Sequence, residues 1–331
     1  MLNFDKMNQN ELDDALTLAE NAEAFFPDLS EDYFETDCFK AIARRETPDI
    51  DKAFALVPEK FRAVAFLHAV LTDDPAVVET CVNAAKEEKA DIDADFCDPE
   101  YGTSPLMQAC FNACENSFSV LVGKGGASLS VKDNLGRGLA YACLFSHDLD
   151  FMKWAKEHGV NIDLNNPVDA VLPLAGAEGT VDVLKWLIEE LGGDVNFVDA
   201  EGHTALYYAC MATEMLRSPE NGFLFDDEDN EDSEIDVAED DGEEAEIEID
   251  DEDDDIEIEI DDDDDEDLEK QNRENILYLI DKGAYPTKLS ESAFKVIVDR
   301  IKELREQRPT DVIDFEIDRE IQRLKEFTSK L

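Results

Sequence analysis

Histidines, cysteines and runs of acid are the residues of this chain that could do chemistry. The four histidines, His68, His147, His158 and His203, are scattered along the sequence. Nucleophilic catalysis needs a Ser or Cys beside a base that a third group orients, and no such signature surrounds any of the four. His158 precedes Gly159 at a helix end, where positive charge is favoured, and His203 sits at a turn. Cys110 and Cys114 stand four residues apart on one helix, but the paired Cys-x-x-Cys spacing of a zinc site is missing. No Gly-x-x-x-x-Gly-Lys or Gly-x-Gly-x-x-Gly loop offers a phosphate cradle. A calcium loop needs a glycine turn between spaced acids and a chelating Glu. The acid-rich segment holds Gly242 alone, with Val237 where the first ligand belongs. The expectation is a protein without catalytic residues, cofactor or metal.

What must be positioned, then, is surface. The chain has 331 residues, 84 Asp and Glu against 29 Lys and Arg, and a net charge of −55. Such a charge repels phosphate backbones and anionic lipid, so direct nucleic-acid or membrane binding is not expected and a basic protein is the natural partner. The charge is uneven: Asp226 to Glu269, 44 residues, carries 31 acids and no Lys, Arg, Pro or aromatic residue. Repulsion at that density, with few residues left to make a core, predicts a solvated, unstructured segment. The remainder keeps a net charge of −24 and an ordinary globular composition.

Seven cysteines, an odd number, lie inside apolar stretches. The first residues show no secretory pattern, and the longest apolar run, Ala63 to Leu71, is far below the ~20 residues of a membrane span. A soluble, reducing, cytoplasmic setting is expected, with thiols as small hydrophobes.

Internal repetition supplies the frame. Leu-x-x-Ala-Cys occurs at Leu106–Cys110, Leu139–Cys143 and Leu206–Cys210, with a variant at Leu174-Ala-Gly-Ala-Glu178. The leucines are 33, 35 and 32 residues apart. Phe151-Met-Lys-Trp154 and Val183-Leu-Lys-Trp186 match at a spacing of 32. Units close on Gly126-Ala-Ser-Leu, Gly159-Val-Asn-Ile and Gly193-Asp-Val-Asn, at spacings of 33 and 34. Small residues let helices approach, the Val/Leu/Trp stretch makes a second helix, and glycine ends it in the left-handed conformation. An alternating tail and a tight turn, as in Asp133-Asn-Leu-Gly136 or Asp199-Ala-Glu-Gly202, complete the unit. Two short helices cannot bury their apolar faces alone, so neighbours must stack.

Gly102-Thr-Ser-Pro-Leu-Met-Gln-Ala109 and Gly202-His-Thr-Ala-Leu-Tyr-Tyr-Ala209 resemble the Gly-x-Thr-Pro-Leu-His-x-Ala signature of the ankyrin repeat family. The resemblance covers roughly residues 98–213 and 272–290. It implies an all-α solenoid of stacked helix-turn-helix units. It implies little about what is bound, because the family shares a shape and not a partner. Residues 1–50 read as an N-terminal helical cap, with helical patterns at Asn10–Phe26 and Glu31–Arg45. Residues 51–290 read as the array: a degenerate unit at 51–97, then units near 98–132, 133–166, 167–198 and 199–290. Residues 291–331 read as a C-terminal cap of two helices. The last unit is split. Its second helix begins near Asn275, and its closing glycine, Gly283, lies 90 residues after Gly193. The surplus is the acidic insertion, 214–270, a loop hung from a rigid frame. Closing so long a loop adds only ~2–3 kcal/mol over a short one.

Two surfaces could then hold a partner. The resemblance turns the second residue after each pentad leucine into the groove: Gln108, Tyr141, Gly176 and Tyr208. Turn tips near Tyr101, Arg137 and His203 line a rim. Within the insertion, Glu246-Ile-Glu-Ile-Asp-Asp251 recurs as Glu257-Ile-Glu-Ile-Asp-Asp262. Alternation would place Ile247 and Ile249, or Ile256, Ile258 and Ile260, on one face of a strand added to a basic-rimmed sheet. The function expected is a monomeric, non-enzymatic protein-interaction scaffold whose acidic loop engages a basic partner. The alternative is a polyanion, a nucleic-acid mimic or chaperone for a basic protein, with the repeats only its mount.

Overall fold

A computed structural model describes residue 33 and residues 36–216, 262–285, 291–307 and 315–328. The patterns read at Asn10–Phe26 and most of the acidic insertion, with Ile247, Ile249, Ile256, Ile258 and Ile260, lie outside the described residues. The described residues are all-helical, without a strand, and none of their helices is long and apolar enough to cross a membrane.

The helices come in pairs. In chain order they are α1 (Asp37–Ala43), α2 (Thr47–Leu56), α3 (Arg62–Leu71), α4 (Pro75–Glu87), α5 (Pro105–Phe111), α6 (Glu115–Val120) and α7 (Leu139–Leu144). There follow α8 (Leu149–Glu157), α9 (Val171–Glu178), α10 (Val181–Lys185), α11 (Ala205–Leu216), α12 (Asp262–Asp281), α13 (Glu291–Gln307) and α14 (Phe315–Thr328). Starts are set by capping side chains: Thr36, Asp74, Ser104, Asp148 and Thr180 each accept an N–H of the first turn. α6 and α10 each run on through a wider turn, Leu121–Gly125 and Trp186–Glu190.

Every odd-numbered helix packs on the next odd one, from α1 through to α13. α2, α4 and α6 pack in succession on the other side, as do α10, α12 and α14. Two ranks of helices therefore run side by side, and one apolar layer lies between them. The odd rank is the inner partner of both neighbours, which is why α3 buries Val64 to Val70 almost all round. Its His68 is buried with them, Nδ1 2.8 Å from the Tyr33 hydroxyl, among the rings of Tyr33 and Phe39.

Two sequence landmarks shift in register. Leu174 is only partly buried, whereas Leu106, Leu139 and Leu206 are buried; the equivalent of these in α9 is Leu172. Leu172 is the second residue of its helix, as are Leu106 and Leu206, and the spacings become 33, 33 and 34. The alanines three residues on, Ala109, Ala142, Ala175 and Ala209, are all fully buried. Gly176 then occupies the cysteine position and not the groove. Likewise Gly192, not Gly193, adopts the positive φ that ends the second helix, in line with Gly126, Gly159 and Gly283. α2 also runs across the boundary drawn at residue 50, so the first described pair spans cap and array.

Lys89 holds the same left-handed position after α4, at φ 61°. A side chain there strains a backbone that glycine adopts without cost. Lys89→Gly should therefore stabilise the protein by about 0.5–1 kcal/mol, read as a rise in the urea midpoint at unchanged slope.

Candidate functional site

Between the pairs from α4 to α11 the chain makes four turns, each built round a polar side chain. The Asp98 carboxylate accepts the N–H groups of Glu100, Tyr101 and Thr103 at 3.1, 2.7 and 2.6 Å. Asp133 accepts those of Leu135 and Arg137 at 3.0 and 2.8 Å. Asn166 accepts that of Val168, and Asp199 accepts those of Glu201 and His203. The four brace residues follow one another at spacings of 35, 33 and 33. Asp98, Asp133 and Asp199 are buried, so their charge is met by backbone donors in place of water. Adjacent turns are joined: the N–H of Asn134 donates to the Tyr101 carbonyl at 2.8 Å, and that of Gly138 to Asp169 at 2.6 Å. These single bonds replace the ladder that an alternating tail suggests.

On this row stand most of the described residues expected to face a partner. Tyr101 is exposed at the first tip. Arg137 donates Nε to Asp133 at 2.6 Å and Nη1 to the Tyr141 hydroxyl at 2.9 Å, and its guanidinium lies 4.4 Å from the Tyr141 ring centre. Tyr141 is thereby locked and nearly buried; burial raises its phenol above the ordinary range. It meets Phe111 edge-on at 6.0 Å and Phe145 at 4.6 Å. His203 stacks flat on Tyr207 at 3.9 Å, and the Tyr208 hydroxyl donates to Asp199 at 2.6 Å. Burial, and then that bond to a carboxylate, raise the Tyr208 phenol strongly.

Gln108 departs from its expected place. It is 3 % exposed, with Nε2 donating to Thr103 Oγ1 at 2.7 Å. It lies beneath the turn because α5 packs against both α3 and α7, which leaves this position no outer face. Gly176 is likewise covered, by Ala205 of α11. In the corrected register the row reads Gln108, Tyr141, Leu174 and Tyr208, of which Leu174 and Tyr208 are half-exposed. Tyr101, Arg137, Tyr141, His203 and Tyr208 thus lie on the first, second and fourth of these turns and the helix starts beside them.

Asp199, Glu201 and His203 present ligand atoms within 4.8 Å of one another. Among the described residues they are the group that could hold a cation, but both Asp199 oxygens are already engaged, one by two backbone N–H groups and the other by the Tyr208 hydroxyl. The other three histidines lie in other pairs: His147 Nδ1 is 3.0 Å from the Glu178 carbonyl, and His158 stacks on Trp154. A cleft of about 850 Å³ opens between α12, α13 and α14. Three of its four arginines pair across helices: Arg273 with Glu303, Arg323 with Asp281, and Arg300 with Glu320 at 2.9 Å. They tie three helices together.

The cysteines behave as core residues. Six are buried, and burial pushes the Cys38 and Cys114 thiols up to about 12. Cys97 is the half-buried one, raised to about 11 by burial and by the neighbouring Asp98. Access then decides the order of reaction. Cys97 should be the single site labelled by a maleimide in the native protein, with the other six following only in denaturant, as peptide mapping would read.

Sequence reasoning singled out Asp133 and Asp199 as turn residues without seeing that Asp98 and Asn166 repeat them. The polar residue at each turn, one per period, is the signal that would have found all four. The chain matches no protein-family model and none of the curated proteins compared with it.

Proposed function

We propose that the protein is a non-enzymatic, ankyrin-type solenoid that holds a protein partner on its turns and groove, while the acidic insertion engages a basic surface of that partner. The two ranks of helices, the 33-residue period and the left-handed glycines support the scaffold part of this reading. The seven free thiols support a reducing, cytoplasmic setting.

One observation carries the role of the insertion. After the acidic segment, α12 returns to pack on α11, α9 and α10. Its Asn275 amide donates to the Gly176 and Gly179 carbonyls at 3.2 and 2.6 Å, and Gln271 donates to Gly179 as well. The insertion is therefore held at both ends by a completed frame, the arrangement a tethered capture loop requires. Part of the acidic sequence itself joins that frame: α12 begins at Asp262, where the expectation was an unstructured segment. Carboxylates at a helix N-terminus face the positive end of the macrodipole, which favours this extension.

The test is a pull-down with the full chain and with a chain lacking Asp226–Glu269, at 0.05 and 0.5 M salt. A scaffold that holds its partner predicts that the deleted chain keeps a salt-insensitive part of the binding. Complete loss of binding on deletion would favour the polyanion reading, in which the repeats only carry the acid.

A further inference from the structure

The turns that form the candidate surface carry exposed apolar side chains at their tips. Leu135 is 61 % exposed, Val168 42 % and Tyr101 38 %. They stand at the tips of three successive turns, braced from below by Asp98, Asp133 and Asn166. The tips also support one another. Asn134 bonds the Tyr101 carbonyl, and Val168 lies 3.7 Å from where a Cβ on Gly136 would be. The row is thus fixed in place, and it stops at the fourth turn, where Glu201 takes the tip. Leaving an apolar side chain in water at one turn is unremarkable; repeating it on three adjoining rigid turns makes a stripe.

The charge around the stripe describes what fits it. Asp95, Glu100, Asp163 and Glu201 are exposed alongside. Of the cations on these turns, Lys132 is bonded to the Gly136 carbonyl of its own turn and Arg137 is paired with the buried Asp133. A second copy of this chain, with the same −55, is excluded by repulsion. Geometry narrows the shape as well. The helices that follow consecutive tips pack side by side, and packed helices repeat at about 8–10 Å. A polyproline-type extended segment returns to the same face every third residue, about 9.3 Å. A flat β-strand returns every second residue, about 6.6 Å, and falls out of step by the third tip.

We infer that Tyr101, Leu135 and Val168 form the apolar seat for an extended, basic segment of the partner protein, one that places an apolar side chain at every third residue. This inference rests on the scaffold reading above and names the partner's chemistry at that surface.

The probe is a labelled twelve-residue peptide, four repeats of Leu-Lys-Pro, titrated by fluorescence anisotropy against the full chain. At 0.5 M salt the contribution of the acidic segment is screened and the apolar seat remains. Leu135→Asp/Val168→Asp should weaken binding at 0.5 M salt at least tenfold. Replacing the four peptide leucines with serine should do the same. Both substituted residues are exposed, so the variant keeps the wild-type circular dichroism and urea midpoint. Equal affinity of the double variant and the wild type at 0.5 M salt would overturn the inference. So would equal affinity of the serine peptide, or tenfold tighter binding of a helical peptide with leucines seven residues apart. The two readings fail separately: loss of the pull-down on deleting the insertion speaks against the scaffold, whereas this titration keeps the insertion and varies only the tips.

Discussion

Gly176→Ala should destabilise the protein by about 3 kcal/mol, although alanine at a helical position ordinarily stabilises by about 1 kcal/mol relative to glycine. The sign is reversed because of how closely α9 and α11 approach. A Cβ on Gly176 would overlap the carbonyl oxygen of Ala205 and lie 2.7 Å from its carbon. Those atoms are backbone, so relief requires α11 to move as a body. Because each helical pair is stable only against its neighbours, displacing α11 also loosens the layer that α12 and α13 cover. Urea denaturation followed by circular dichroism reads the loss. Gly123→Ala is the control: no atom lies within 4 Å of the added carbon, and the midpoint should not fall. A Gly176→Ala protein at least as stable as wild type would show that the odd rank is not packed this tightly.

Asn275→Leu should cost about 2–3 kcal/mol. The side chain is fully buried, and its amide supplies donors to two carbonyls at the end of α9. Leucine fills a similar volume but removes both bonds, and a buried acceptor without a partner carries its full desolvation cost. Gln271 still reaches Gly179 at 3.3 Å, so the loss falls mainly on Gly176. The effect should also be local. Hydrogen exchange should speed up along α12 first, because these bonds fasten that helix to the end of α9, while α5 to α8 keep wild-type protection. Uniform acceleration over the whole chain would mean that α12 is not an independently released element.

The repetition was readable because it is written in residues whose types are constrained: buried alanines, left-handed glycines and capping hydroxyls. The slip from Leu172 to Leu174 shows where that reading weakens. In α9 the sequence Leu172-Pro-Leu-Ala-Gly-Ala offers two leucines and three small residues, and each leucine begins a Leu-x-x-Ala. Only burial distinguishes them, and burial is set by α7 and α11 on either side. Gly192 and Gly193 pose the same problem, since either satisfies a glycine rule and one alone has the positive φ. Gln108 was placed outward by its position in the unit, yet its surroundings come from α3, a helix of the degenerate pair whose fit to the first regular unit no spacing reveals. Asn275 was invisible for a stronger reason. Its partners, Gly176 and Gly179, lie almost a hundred residues earlier, and nothing in an asparagine inside a helix says that it will close another helix.

The two helices that flank the acidic segment are longer than their counterparts. α11 has 12 residues and α12 has 20, against 7 and 6 in α5 and α6. From Gln271, which bonds the Gly179 carbonyl, α12 reaches back nine residues to Asp262, about 13 Å at 1.5 Å per residue. Seven of those nine residues are acidic, so the helix carries the start of the polyanion with it. Salt screens such charge over about 8 Å and leaves apolar contact in place. A chain that grips its partner by both would combine two contacts that answer to different solution conditions.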